Sequence, residues 1–150
     1  MSKDLPLDPQ KAFLASLTTM LKRHEGFSPT MYIDNCQIPT MGYGHSLKEP
    51  ITLSAGTHIL EDDIAISLHL LNQYKPGWKM LPNGAQLVVA NLAFHLGMPR
   101  LKVWGQLWAA LEAEDYLQAS IEMRESLFYT ESGTRAEELT AMMRSLHNKI

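Results

Sequence analysis

Two acids and a hydroxyl are the residues of this chain whose types and spacing best suggest chemistry. Asp34 follows Glu25 by nine residues, and Thr40 follows Asp34 by six. Two carboxyl groups, one protonated and one ionised, are the minimum equipment for cleaving a glycosidic bond. A Glu and Asp pair is common in any sequence, so the surrounding elements must show whether these residues can work together.

The segment before Glu25 predicts a helix over about 9–25. Asp8 can cap the start of a helix, and Pro9 suits its first position. Gly26 favours the left-handed backbone that often ends a helix. We therefore expect Glu25 on the last helical turn.

A short hairpin is expected directly after that helix. Met31–Asp34 and Thr40–Gly44 favour strands, and Asn35–Pro39 favours the turn between them. Gly42 and Gly44 are two apart and so share one face of the second strand. The absence of side chains on that face permits either tight packing within the protein or the close approach of another backbone or a ligand. Both alternatives stay open.

The rest of the sequence is predominantly helical, which predicts an α+β, mostly helical fold. We expect a single domain over 1–150 in which a long helix joins a small β-hairpin lobe to a helical lobe. Apolar residues at the helical period and a Lys-Pro-Gly stop support the long helix. The expected ranges are about 26–52 for the hairpin lobe, 53–74 for the linking helix, and 75–150 for the helical lobe, with helices at 83–96, 101–112, 115–126 and 134–147.

Two details of the helical lobe can be predicted. Leu87 to Leu96 is apolar almost all round, which is typical of a buried central helix. Asn91 is its polar exception and should find hydrogen-bond partners inside. Thr134 to Glu137 has the pattern of a capping box, which predicts a helix start at Thr134.

Composition excludes several classes of protein. The charge of −3, from 13 basic and 16 acidic residues, comes without a basic stripe and argues against nucleic-acid binding. Cys36 is the single cysteine, so no internal disulfide can form, which fits a reducing compartment. The histidines lack the compact spacing of metal ligands, so we expect neither a metal site nor a cofactor.

We expect neither a membrane span nor a signal peptide. No apolar run approaches the roughly 20 residues of a transmembrane helix. A secretory leader begins with a basic stretch that is followed by an apolar one, whereas Met1–Pro6 is polar.

Three short motifs together resemble the phage-type lysozymes, the T-even-phage muramidases of glycoside hydrolase family 24. These motifs are Glu25-Gly26, Tyr32-x-Asp34 and Thr40-x-Gly42-x-Gly44-His45. The resemblance extends to Asn91–Gly97, Phe128–Tyr129 and Thr134–Ala136, and it is sparse between Leu47 and Leu81. It covers most of the chain and implies a lysozyme-like fold with a cleft between two lobes.

The resemblance implies hydrolysis of the β-1,4 bond between N-acetylmuramic acid and N-acetylglucosamine in peptidoglycan. Glu25 would be the general acid, and Asp34 and Thr40 would hold the attacking water on the opposite face of the sugar. This is the inverting arrangement, which needs about 6.5–9.5 Å between the carboxyl groups.

Four further residues take roles from the same resemblance. Ser46 and Phe94 fall at positions that line the saccharide cleft, although an aromatic residue on an apolar helix also suits a core. Arg135 would pair with Glu25 and anchor it. His45 is expected to be structural and to bond a carboxylate on the following helix, for which Asp63 is the candidate.

The implied partner is peptidoglycan, and the implied role is that of a phage or prophage endolysin. Such a protein, expected to be a monomer, would wait in the host cytoplasm until a holin-type membrane permeabiliser released it. Delivery by a phage tail or a secretion machine is a further route. The acidic balance, and a turn at Asn35–Pro39 without the family's usual glycine, leave open a low-activity or inactive peptidoglycan-binding or structural module.

Overall fold

The computed structural model describes residues 8–149. Met1–Pro6, on which the absence of a signal peptide was predicted, lies outside the described residues. The chain divides into two compact units, with the boundary between Leu53 and Ser54. A single domain over 1–150 stays a prediction.

The first unit begins with the predicted helix. Helix α1 spans Pro9–Glu25 and has Asp8 at its N-cap, where the carboxylate accepts from the backbone N–H of Gln10 at 3.3 Å. Gly26 ends the helix with φ +67°. The local signals of Asp, Pro and Gly therefore fix both ends of α1, and Glu25 is its last residue.

A three-stranded antiparallel sheet follows, in the order β1-β2-β3. The strands are β1 (Ser28–Ile33), β2 (Pro39–Gly42) and β3 (His45–Ser46). The prediction of a two-stranded hairpin with a second strand reaching Gly44 is wrong. Gly42 and Gly44 have φ +66° and +74°, so the chain turns around Tyr43 and returns as β3.

The second unit is helical. Helix α2 has the predicted bounds, and the helices after it are shorter and more numerous than expected. They are α2 (Leu53–Tyr74), a 3₁₀ segment (Pro76–Met80), α3 (Asn83–Leu96), α4 (Met98–Leu101), α5 (Gly105–Glu112), α6 (Tyr116–Arg124), α7 (Leu127–Glu131), α8 (Gly133–Ser145) and a 3₁₀ segment (Leu146–Lys149). The mostly helical α+β fold is confirmed.

The helix expected over 101–112 is interrupted, and hydrogen bonding explains why. The carbonyl of Leu101 accepts from the backbone N–H of Trp104 and from the indole N–H of Trp108. The backbone N–H of Gly105 bonds to Val103 instead of Leu101. A helical turn therefore does not continue through this point, and α4 and α5 are separate.

The predicted capping box at Thr134 is also wrong. Helix α8 begins one residue earlier, at Gly133, with Ser132 at the N-cap and no side-chain capping bond. The hydroxyl of Ser132 lies 3.0 Å from Nε2 of His95 and so has a partner outside α8.

The hydrophobic core of the described residues lies between Leu71 and Met143, with α3 contributing five buried side chains. Leu87, Asn91 and Phe94 nevertheless form an exposed stripe on α3, so the prediction of a buried Asn91 is wrong. The amide marks the uncovered side of the helix rather than a polar contact within the core. Within the described chain, no helix combines the length and apolarity that a membrane crossing requires.

Candidate active site

The side chain of Glu25 lies against Gly44 in the first unit. A Cβ atom built on Gly44 would come within 2.6 Å of Oε2 of Glu25 and 3.0 Å of its Cδ. Real Cβ atoms do not approach neighbours so closely, and the left-handed backbone of Gly44 also disfavours a side chain. Of the two uses left open for the glycines, tight packing is therefore the one seen at Gly44, and its neighbour is the carboxylate of Glu25.

Asp34 is held by the turn that follows it. Its Oδ1 accepts from the backbone N–H groups of Cys36 and Ile38, each at 2.8 Å. Within residues 8–149, every hydrogen bond to this half-buried carboxylate falls on Oδ1. Oδ2 therefore stays available to solvent or substrate.

The turn between β1 and β2 closes without glycine. Gln37 takes the left-handed conformation, with φ +63°, and its N–H bonds to the carbonyl of Asp34 at 3.0 Å. The strands on either side remain paired, with Tyr32 opposite Thr40 and Ile33 opposite Pro39. The pairing next to the turn is thus regular, while the register shifts farther along, between Ser28 and Tyr32. The left-handed conformation places strain on Gln37.

Thr40 is buried, with only 4% of its surface exposed. Its hydroxyl donates to the carbonyl of Ile38 at 2.9 Å. Asp34 accepts from the N–H of the same residue, so both candidate side chains are fixed to the backbone of Ile38. The hairpin brings these two predicted residues together.

Ser46 and His45 lie on β3, beside this hairpin. Ser46 pairs with Thr40 across the sheet, and its Oγ accepts from the N–H of Lys48 at 3.3 Å. His45 is exposed and pairs with Met41. The expected partner of His45 was Asp63, which belongs to the second unit, so that contact stays a prediction.

Phe94 and Arg135 lie on a groove of about 470 Å³ in the second unit. Phe94 is 41% exposed, so the alternative of a core aromatic is wrong. Arg135 stands in the first turn of α8. The binding role of Phe94 and the pairing of Arg135 with Glu25 stay predictions.

His95 is a residue of interest that the sequence analysis missed. Its Nε2 lies 3.0 Å from the hydroxyl of Ser132, the N-cap of the helix that carries Arg135. Burial of the ring, followed by the positive charges of Arg135 and Arg100, lowers the pKa of His95 below its ordinary value. The sequence did contain a signal that could have singled out His95, because this residue follows Phe94 in the Asn91–Gly97 motif.

No cluster of three or more His, Cys, Asp or Glu side chains suited to a metal ion occurs in residues 8–149. The site described above consists of carboxylates, a hydroxyl and backbone groups. Such groups can donate a proton, accept one and position a water molecule.

Comparison with known proteins identifies the family. The sequence model of the Phage lysozyme family matches residues 22–144, a range that contains Glu25, Asp34 and Thr40. The chain is also similar to the pre-baseplate central spike protein Gp5 of Enterobacteria phage T4, at 25% identity over 157 aligned positions. That alignment covers 85% of this chain and 27% of Gp5, so the chain spans about a quarter of that relative's length. With most of its length matched by the family model, the chain belongs to the phage lysozyme family.

Proposed function

We propose that this protein is a muramidase that cleaves the β-1,4 bond between N-acetylmuramic acid and N-acetylglucosamine in peptidoglycan. Its membership of the phage lysozyme family supports a peptidoglycan hydrolase. The observation that carries the finer proposal is the anchoring of Asp34 and Thr40 on the backbone of Ile38. This arrangement suits a pair of groups that hold one water molecule.

In the proposed mechanism, Glu25 donates its proton to the glycosidic oxygen as that oxygen leaves the anomeric carbon. Oδ2 of Asp34 accepts a proton from the attacking water. The hydroxyl of Thr40 donates to Ile38, so its lone pairs can accept the second hydrogen of that water. The remaining lone pair of the water then forms the new bond to the anomeric carbon.

This mechanism inverts the anomeric configuration, because water attacks the face opposite the leaving oxygen. One proton leaves Glu25 and one arrives at Asp34, so exchange with solvent restores both groups after product release. Proton NMR of the freshly formed reducing end distinguishes the two outcomes. The α-anomer supports the proposal, whereas the β-anomer indicates a retaining enzyme.

Substitution of Glu25 by Gln is the principal test. The variant should not release fragments from purified peptidoglycan, while its circular dichroism should match that of the unmodified protein. Glu49→Gln is the matched control, because it makes the same change at an exposed position in the same unit. Equal fragment release by the unmodified protein and Glu25→Gln would refute the assignment of the acid.

Mass analysis of the fragments also tests the reaction class. Fragments ending in reducing N-acetylmuramic acid support the muramidase. Anhydro ends would indicate a lytic transglycosylase, which does not need a water held by Asp34. Tight binding to peptidoglycan without any fragment would favour the binding or structural module.

Two biological roles are considered for such an enzyme. As an endolysin, the protein would remain monomeric in the host cytoplasm until a holin-type permeabiliser gave it access to the wall. Similarity to a central spike protein favours a second role, in which the chain travels with the phage tail. Mass spectrometry of purified virions decides between them, because a tail component is found in virions and an endolysin only in lysates.

A further inference from the structure

A second pocket lies in the helical unit and shares no lining residue with the groove at Phe94 and Arg135. It has a volume of about 300 Å³, at the small end of the range for ligand sites. Trp78, Trp108 and Tyr116 are the buried aromatic residues that line it, and we call them its floor. Its rim carries Tyr74, Lys75, Glu112 and Glu114.

The indole N–H groups of the floor are already satisfied inside the protein. Trp78 donates to Oδ1 of Asn72 at 2.7 Å, and Trp108 donates to the carbonyl of Leu101 at 2.8 Å. The parts of these rings that reach the pocket are therefore apolar. An apolar ring face suits the C–H face of a guest rather than its polar groups.

The rim carries both signs of charge. Nζ of Lys75 lies 4.9 Å from the ring centre of Trp108, and Nζ of Lys102 lies 4.7 Å from that of Tyr74. Glu114 and Tyr116 both line the pocket. Burial, followed by the negative charge of Glu114, raises the pKa of the Tyr116 phenol. The ammonium group of Lys75 and the carboxylates of Glu112 and Glu114 thus line the same pocket.

This charge pattern selects against ionic guests. A cation would meet the ammonium group of Lys75, which lies over the ring of Trp108. An anion would meet the carboxylates of Glu112 and Glu114. A neutral guest with hydroxyl and amide groups can accept from Lys75 and donate to the carboxylates, with its apolar face on the floor.

We propose that this pocket binds one neutral N-acetylhexosamine ring, at a site separate from Glu25, Asp34 and Thr40. The choice of an N-acetylhexosamine among neutral sugars rests on the proposed function, because peptidoglycan strands repeat that ring. A second weak contact on one polymer raises the effective concentration of the wall around the enzyme. The pocket therefore retains the protein on its substrate.

The three tryptophans supply a direct test, since Trp78 and Trp108 lie in the pocket and Trp104 does not. N-acetylglucosamine is titrated into ¹⁵N-labelled full-length Glu25→Gln protein, which cannot turn over substrate under the proposed mechanism. The indole signals of Trp78 and Trp108 should shift and saturate, while that of Trp104 stays in place. Absence of any shift, or an equal shift at Trp104, overturns the proposal.

Choline and acetate, titrated in the same way, test the charge argument. Neither should move the Trp78 and Trp108 signals at concentrations where the sugar saturates them. Stronger binding by either ion assigns the pocket to an ionic guest and overturns the proposal.

A variant pair tests the rim. Glu112→Ala should lower the affinity for N-acetylglucosamine about tenfold, as expected for the loss of one hydrogen bond to a charged group. Glu125→Ala, an exposed acid outside the pocket, is the matched control and should leave the affinity unchanged. Unchanged affinity in Glu112→Ala contradicts the rim contact. These titrations measure binding alone, so their failure is distinct from a failure of the proposed hydrolysis.

Discussion

The carboxylate of Glu25 occupies the space that a side chain at Gly44 would need. A Cβ atom there would lie 2.6 Å from Oε2. The end of α1 and the turn between β2 and β3 are thus in contact through one acid and one glycine. Glu25 depends on that glycine for its position.

Gly44→Ala should therefore lower activity beyond its effect on stability. The left-handed backbone alone costs about 1–2 kcal/mol for a residue with a side chain. Displacement of Glu25 should further lower peptidoglycan cleavage by roughly 10²-fold, as for a catalytic group misplaced by about 1 Å. The measurements are thermal unfolding and the initial rate of fragment release.

Gly42→Ala is the matched control for that prediction. Gly42 has φ +66°, close to the +74° of Gly44, but a Cβ there has nothing within 4 Å. Both variants should lose similar stability, and only Gly44→Ala should lose the additional activity. Equal activity in the two variants would show that the contact with Glu25 has no catalytic consequence.

Gln37→Gly should stabilise the protein. Glycine removes the left-handed strain of Gln37 and loses about 0.5–1 kcal/mol through its greater freedom in the unfolded chain. The expected net gain is about 0.5–1 kcal/mol in the free energy of unfolding, measured with urea. Asn35→Gly in the same turn is the control, because Asn35 lacks a positive φ and should gain nothing. A loss of stability in Gln37→Gly would contradict the strain at this position.

Asp34→Asn and Asp34→Ala should separate the chemical role of Asp34 from its structural one. The amide oxygen of Asn can still accept from Cys36 and Ile38, so this variant should fold with near-normal stability. Loss of the basic carboxylate should lower the cleavage rate by about 10²–10⁴-fold. Ala removes Oδ1, the acceptor of both hydrogen bonds, and should also destabilise the hairpin by about 1–3 kcal/mol. Retained activity in a stable Asp34→Asn protein would exclude Asp34 as the base.

His95 should make stability depend on pH. Its pKa is lowered in the folded protein, so the unfolded chain binds the extra proton first as the pH falls. Its contribution is complete above the unfolded pKa of about 6.5 and is lost as the pH drops towards the folded value. Urea unfolding of the unmodified protein should thus show a decline below pH 6.5 that is smaller in His95→Gln.

Arg100→Gln offers a check on the cause of that shift. Removal of this positive charge should raise the pKa of His95. The loss of stability below pH 6.5 should then be partly reduced. An unchanged pH dependence in both His95→Gln and Arg100→Gln would mean that His95 does not titrate in this range.

Local signals predicted those parts of the fold that neighbouring residues determine. Asp8, Pro9 and Gly26 predicted both ends of α1, and the bounds of α2 followed from its helical period. The third strand was missed because Gly44 was taken as strand rather than turn. The break after α4 was missed because it depends on the Trp108 indole, which lies seven residues from its acceptor.

In the candidate site, too, local features could be predicted and contacts between distant residues could not. The residue types and spacing of Glu25, Asp34 and Thr40 singled them out, and the shared anchor of Asp34 and Thr40 on Ile38 follows from hairpin geometry. The contact of Glu25 with Gly44 joins distant parts of one unit and could not be derived from local pattern. Asn91 was misplaced because a polar residue on an apolar helix does not reveal which side of that helix is covered.

The distribution of buried residues has a consequence for thermal inactivation. Among residues 8–53, Thr40 is the one buried side chain, whereas the hydrophobic core lies between Leu71 and Met143. Regions with little buried apolar surface open at a smaller free-energy cost and exchange their amide protons sooner. The amides of β1 and β2 should therefore lose protection before those of α3. On heating, the strands that carry the proposed catalytic groups should therefore unfold while the helical unit is still folded.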